Sequence, residues 1–144
     1  MYITIDGNSI WDVYTEDKAQ QGLYRGGGNA SSPRTFKEDK GKGSVRPLDF
    51  KIVFDPATKK EMVFPDPTRG LSFSNSLQRL KDIPIKGKVW LLLRGKRLPE
   101  GLLINYRTID HPLINVAYKM SVEELVGKLK QLEALMEYTG VTIA

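Results

Sequence analysis

Lys88-Val-Trp-Leu-Leu-Leu-Arg94 sets the class of this chain. Its five apolar residues, Val89 to Leu93, run without interruption, a pattern that suits a central strand covered on both faces. Upstream, Phe50-Lys-Ile-Val-Phe54 and Glu61-Met-Val-Phe64 flank Asp55-Pro-Ala-Thr-Lys-Lys60, which reads as a hairpin. Pro65, Pro67 and Gly70 then force a turn, and Ser74 to Leu80 suits a short helix. Downstream, Leu102 to Tyr106 and Leu113 to Tyr118 supply further strands. Ser121 with Glu124 three residues later forms a capping box. Behind it Val122, Leu125, Val126, Leu129, Leu132 and Met136 recur at spacings of three and four, giving a helix with one apolar face, and Gly140 is its stop signal.

The first 25 residues alternate around Ile3, Ile5, Ile10, Trp11, Val13, Leu23 and Tyr24. That spacing predicts two short strands separated by a polar turn or helical piece at Glu16 to Gln21. Residues 26 to 48 hold three glycines, then Asn29, Ser31, Ser32 and Pro33, then Lys37-Glu-Asp-Lys-Gly-Lys-Gly43. So few apolar side chains cannot offset the entropy of ordering, and the expectation is a long loop. Strands dominate and one amphipathic helix closes the chain, so the fold class expected is α+β, as a single domain over 1–144.

Composition narrows the chemistry. The 144 residues contain no cysteine and one histidine, His111. That excludes disulfides, thiolate metal sites, a cysteine nucleophile and a polyhistidine metal site within one chain, and no metal is expected. Hydrophobic residues at 40% and charged residues at 27% suit a folded globular chain. Lys and Arg total 22 against 17 Asp and Glu, a formal charge of +5 that favours polyanionic partners without naming one. The N-terminus lacks a basic start and an apolar signal core, and the run Val89–Leu93 is far too short to cross a bilayer. The expectation is a protein without membrane insertion and without a cleavable export signal.

Four constellations carry possible chemistry. Leu23-Tyr-Arg-Gly-Gly-Gly28 ends an apolar run on an arginine followed by glycines. Arg25 in such a place reaches a phosphate or ribose, and Gly26 and its neighbours let a ligand approach the backbone. The same stretch also reads as a strand end entering a loop, and it matches neither a dinucleotide fingerprint nor a Walker loop. In Gly70-Leu-Ser-Phe-Ser-Asn-Ser76, Ser72 or Ser74 suits a helix cap or a ligand-holding hydroxyl, with Phe73 near for stacking. Asp110-His111-Pro112 opens a strand, and His111 there is either a turn residue or a catalytic candidate, a general base or ribose-binding donor beside an aspartate. Arg79, Lys81, Lys86, Lys88, Arg94, Lys96 and Arg97 make the middle of the chain basic. They read as a solvated face or as a track for nucleic acid, with Trp90 or Tyr106 as stacking rings, but no nucleic-acid motif accompanies them.

Taken in order, several short motifs form a series. Leu98-Pro-Glu-Gly-Leu102, His111-Pro-Leu-Ile114, and Met120 leading into Ser121-Val-Glu-Glu-Leu125, Gly127 and Leu129 follow one another. Upstream lie Leu23-Tyr-Arg25, Arg46-Pro-Leu-Asp49, Pro67 and Gly70-Leu-Ser72. This series resembles the NAD-dependent toxin effectors of bacterial type VI secretion, in particular the exported-effector-two family. The resemblance implies an ADP-ribosyltransferase-like split, strongly bent β core that grips NAD in a cleft. It implies an ADP-ribosyltransferase or NAD glycohydrolase that breaks the nicotinamide–ribose bond of NAD, its substrate. Under it Arg25, with Gly26, Arg46 and Phe73, would bind NAD, Ser72 would position the ribose, and His111 would be the polar group of the later strand. Arg46 and Asp49 would form a supporting pair. Many such enzymes carry a late glutamate, and none stands in a matching place here: Glu100 is in a turn, and Glu123 and Glu124 open the helix. His111, Asp110 or Asn115 would substitute, or the reaction departs from standard transfer.

The resemblance further implies a cytotoxic effector, held cytoplasmic until export, active in the cytoplasm of a target cell and neutralised by a cognate immunity protein. Its macromolecular acceptor is not named by the sequence. Two other readings stand beside it: a basic, ribonuclease-like toxin acting on RNA, and a non-enzymatic partner-binding domain.

Overall fold

Strand β8 (Gly87–Leu93) lies between β2 (Gly22–Gly28) and β12 (Met136–Ile143), antiparallel to both. Its apolar run is unbroken because both faces are covered. Val89 packs into a smaller cluster with Leu80 and Ile143, while Leu92 and part of Trp90 join the larger core with Leu23, Leu129 and Leu132. Each fully buried leucine of that core stabilises the fold by about 1.5–3 kcal/mol.

In the computed structural model of the chain the described residues are 3–6, 22–39, 44–47, 50–66, 68–74, 76–82, 85–93, 97–108 and 111–144, and side chains are described for these apart from 3–6, 37–39, 44–47, 106–108 and 111. Among the described residues the architecture is mixed α+β, mostly antiparallel sheet with two helices. A four-stranded sheet has the order β1 (Ile3–Asp6), β9 (Leu102–Thr108), β10 (His111–Val116), β7 (Leu71–Ser72). A three-stranded sheet runs β11 (Met120–Ser121), β6 (Lys60–Phe64), β5 (Lys51–Asp55), and β3 (Phe36–Asp39) pairs with β4 (Ser44–Pro47). The expected hairpin is β5–β6. Its turn is set by Asp55, whose carboxylate accepts from Ala57 N at 3.0 Å and Thr58 Oγ1 at 3.2 Å, and which Lys119 approaches at 3.7 Å.

Helix α2 (Val122–Leu135) begins as its sequence dictates, with Ser121 Oγ accepting from Glu124 N at 3.1 Å. Leu125, Val126, Leu129 and Leu132 are its buried face. It ends earlier than Gly140: Met136 turns to extended backbone, its N–H donating to Glu133 O. The chain then continues as β12, so a strand follows the C-terminal helix. Gly140, at φ 81°, lies where the β12–β8 register shifts between Tyr138 and Thr142.

The long loop expected over 26–48 is corrected. Strand β2 continues through the glycines to Gly28, and Phe36–Asp39 pairs with Ser44–Pro47 in register. What lies between is a short tethered turn. Asn29 Oδ1 accepts from Ser31 N and Ser32 N, each at 2.8 Å, and Trp90 Nε1 donates to Asn29 O at 2.8 Å. Local side-chain bonds thus replace the apolar burial that composition lacks. Ile10, Trp11, Val13, Glu16 to Gln21, Asp49, Pro67, Arg94, Lys96 and Asp110 lie outside the described residues.

Candidate functional site

Three consecutive residues carry the chain from one sheet to another. Ser72 and Leu71 pair with Leu113 and Ile114 of β10, Phe73 N donates to Pro112 O at 2.9 Å, and Ser74 exchanges two backbone bonds with Tyr24 of β2 at 2.7 and 2.8 Å. This splice sits where the four-stranded sheet meets the sheet built on β8. Its approach is tight. Gly70 enters β7 at φ 141°, and a Cβ there would lie 2.5 Å from Ile114 O, so only glycine fits. The preceding turn is fixed by Asp66, whose carboxylate accepts from Thr68 Oγ1 at 2.6 Å and Thr68 N at 2.9 Å. Those hydrogen bonds, the hydroxyl first, hold Asp66 below the usual carboxylate range.

Arg25 stands next to the splice. Its Nη1 donates to Ser72 O at 2.8 Å, its Nε donates to Arg34 O at 3.1 Å, and its guanidinium carbon lies 6.0 Å from the Phe73 ring centroid. Just beyond it the β2–β8 register shifts between Arg25 and Gly28, a bulge made by Gly26 and Gly27. Gly26 is buried, and a Cβ on it would meet Ile85 Cγ2 at 2.8 Å. The glycines therefore shape a kinked strand beside the arginine.

Arg25, Gly26, Ser72 and Phe73 share one small cavity of about 60 Å³, with Ser74 and Arg79 in its wall. That volume suits a single small group. A larger open groove of about 560 Å³ is lined by Gly27, Gly28, Asn29, Arg34, Phe36 and Glu133, and its Arg34 is the residue whose carbonyl accepts from Arg25 Nε. Its volume lies in the range of small-molecule sites. The chemistry available is one of positioning: guanidinium groups for anionic or sugar oxygens, a serine in the wall, and a carboxylate across the groove.

Four of the six sequence-chosen residues thus come together: Arg25, Gly26, Ser72 and Phe73. Phe73 is only 2% exposed, so its ring is a core residue that carries Arg25 on one side. Ser72 is released from helix capping. The cap of α1 (Leu77–Asp82) is Ser76, whose Oγ accepts from Arg79 N at 3.2 Å, with Ser74 Oγ donating to Ser76 O. His111 opens β10 one residue before Pro112, whose carbonyl holds Phe73, so its backbone is beside the splice. Arg46 lies in β4 opposite Lys37, apart from this junction in strand pairing. The His111 and Arg46 side chains lie outside the described set.

Asn115 is buried at 1% exposure, its Nδ2 donating to Asp66 O and its Oδ1 accepting from Val116 N at 2.8 Å. It fastens the turn before β7. Among the described residues the acid lining the groove is Glu133, on the last turn of α2, which sequence reasoning passed over along with Arg34 and Thr35, while Arg79 was read only as part of the basic stretch. Only a contact 98 residues away in sequence, Thr35 to Glu133, sets Glu133 apart from other helix-surface carboxylates.

Of the basic stretch and its rings, Lys88 and Trp90 make contacts within the fold. Lys88 Nζ donates to Thr142 Oγ1 at 2.8 Å, and the Trp90 ring stacks on Tyr138 at 5.5 Å between centroids. Among the described residues no group of three or more His, Cys, Asp or Glu could hold a metal ion, and no helix is long and apolar enough to cross a membrane. Comparison with family models, curated proteins and solved structures returns no match to this chain, so the site stands on its own geometry.

Proposed function

We propose that this chain is an NAD-consuming enzyme of the ADP-ribosyltransferase or NAD glycohydrolase type, a cytotoxic effector that acts in a target-cell cytoplasm. The observation that carries the reading is the splice at Ser72–Ser74, which puts Arg25, Gly26, Ser72 and Phe73 on one cavity, with Arg25 bonded to Arg34 of the groove of about 560 Å³. Breaking the nicotinamide–ribose bond needs no thiol or metal from the protein. It needs the dinucleotide held still, and charge placed where it develops at the anomeric carbon.

In this reading Arg25 anchors NAD by its guanidinium, its plane set by the Ser72 and Arg34 carbonyls. Ser72, in the cavity wall, positions a ribose hydroxyl. Gly26 borders the cavity, Gly27 is the glycine of the groove wall with open space for the dinucleotide to approach the backbone, and the Phe73 ring supports the arginine. His111 contributes from the start of β10, and Arg46 remains a second candidate cation. The +5 net charge suits an acidic immunity protein as inhibitor.

Purified protein incubated with an NAD analogue that fluoresces on nicotinamide loss tests this directly. Turnover that falls in Arg25→Ala and Ser72→Ala supports it; folded wild-type protein that neither binds nor turns over NAD ends it.

A further inference from the structure

We infer that Glu133 is a positioning residue: it fixes the direction of the Arg25 guanidinium through Thr35 and the Arg34 carbonyl. The relay is continuous. Glu133 Oε1 accepts two hydrogen bonds from one residue, Thr35 N at 3.1 Å and Thr35 Oγ1 at 2.6 Å. Thr35 is wholly buried, and its neighbour Arg34 presents the carbonyl that receives Arg25 Nε at 3.1 Å. The second arm of Arg25, Nη1 on Ser72 O, is fixed by the sheet splice. Two carbonyls on different segments thus hold the guanidinium, Ser72 within the β7–β10 ladder and Arg34 two residues ahead of β3.

The other segment needs its clamp. Arg34 has φ 56°, a left-handed conformation that residues with a side chain seldom adopt and that persists only where the surroundings enforce it. Among the described residues the Arg34 N–H has a weaker bond, to Ser32 Oγ at 3.2 Å, and β3 begins two residues on at Phe36. Without Glu133, Thr35 would leave a buried N–H and hydroxyl to find new acceptors, and the strained Arg34 peptide would be free to turn its carbonyl away. Helix α2, whose apolar face is locked in the core, is a rigid base for such a clamp. Glu133 needs only to accept, so a neutral glutamine would serve in its place.

This inference concerns the same site as the proposed NAD reaction, yet its first readout is independent of NAD. In protein labelled with 15N-arginine, the Arg25 Nε–H resonance is identified by its loss in Arg25→Lys, and its exchange with water is measured. Glu133→Ala is expected to speed that exchange at least about tenfold, with Glu133→Gln within about twofold of wild type. The backbone amides of Leu92 and Leu129 should keep their protection in both variants. Unchanged Nε–H exchange in Glu133→Ala overturns the relay. So does a glutamine variant that behaves like alanine, or a loss of protection at Leu92 and Leu129 that marks a merely structural role. The second readout is NAD affinity: Glu133→Ala should weaken it about tenfold alone and not at all in an Arg25→Ala background. If the exchange results hold and wild type binds no NAD, the relay stands and the NAD reading falls. If NAD binds and the two substitutions are additive, the relay falls and the NAD reading stands.

Discussion

Replacing Arg25 with methionine keeps a long unbranched side chain and removes the cation, so it isolates what the guanidinium does at the sheet junction. Two carbonyls lose their donor, Ser72 O at 2.8 Å and Arg34 O at 3.1 Å. The bond to Ser72 is partly buried and comes from a charged donor, worth about 1.5 kcal/mol. The bond to Arg34 is exposed and contributes only about 0.5 kcal/mol. The Phe73 contact, at 6.0 Å from the centroid, is at the outer limit of a cation–π interaction and adds little. These bonds together contribute about 2 kcal/mol, so for a chain of this size the melting temperature should fall by at least about 6 °C. Urea unfolding should show a lower midpoint with an unchanged m value, since no new surface is exposed in the native state. A midpoint equal to that of wild type, or a higher one, would refute the view that Arg25 is held by both segments.

Other substitutions separate the local parts of the fold. Ser76→Ala removes the α1 cap and should cost about 1 kcal/mol in thermal unfolding, whereas a Ser72→Ala variant, with its backbone carbonyl intact, should melt within about 1 °C of wild type. Gly70→Ala places a Cβ 2.5 Å from Ile114 O at a positive φ and should cost more than about 2 kcal/mol, read as loss of folded protein or of β7 amide protection; a wild-type melt would contradict the tight entry to β7. Asp55 is lowered chiefly by the Ala57 backbone bond and Asp66 by the Thr68 hydroxyl, so both are depressed in the folded state. Their contribution is present above the ordinary carboxylate pKa of about 4 and is lost as pH falls through the depressed values. Melts between acid and neutral pH should therefore flatten in Asp55→Asn with Asp66→Asn, and an unchanged acid slope would count against these turns.

Much of the fold was legible because it rests on local pattern. The run Val89–Leu93 named a strand covered on both faces, and Ser121 with Glu124 named the start of α2 to the residue. What escaped was set by partners far along the chain. Lys37-Glu-Asp39 pairs as a strand with Ser44–Arg46 although its composition reads as solvated loop, because a cross-strand partner is not a property of local composition. In Met136–Ile143, Thr139, Val141, Thr142 and Ile143 carry a β-branched signal, but the helical spacing ahead of it extended the helix reading as far as Gly140. At the site, Arg25 and Ser72 were visible as short motifs, while their meeting depends on a splice 47 residues away. Glu133 had no signal at all in one dimension: a carboxylate late in a helix looks like any solvent-facing charge until Thr35 is seen against it.

The most direct test of the account is the release of free nicotinamide from NAD by pure protein, followed over time for wild type and for the Arg25→Met variant at a temperature where both are folded. The account predicts steady release by wild type and a rate lower by about a hundredfold in the variant. Folded wild-type protein that releases no nicotinamide, or an Arg25→Met variant that keeps the wild-type rate, would contradict it.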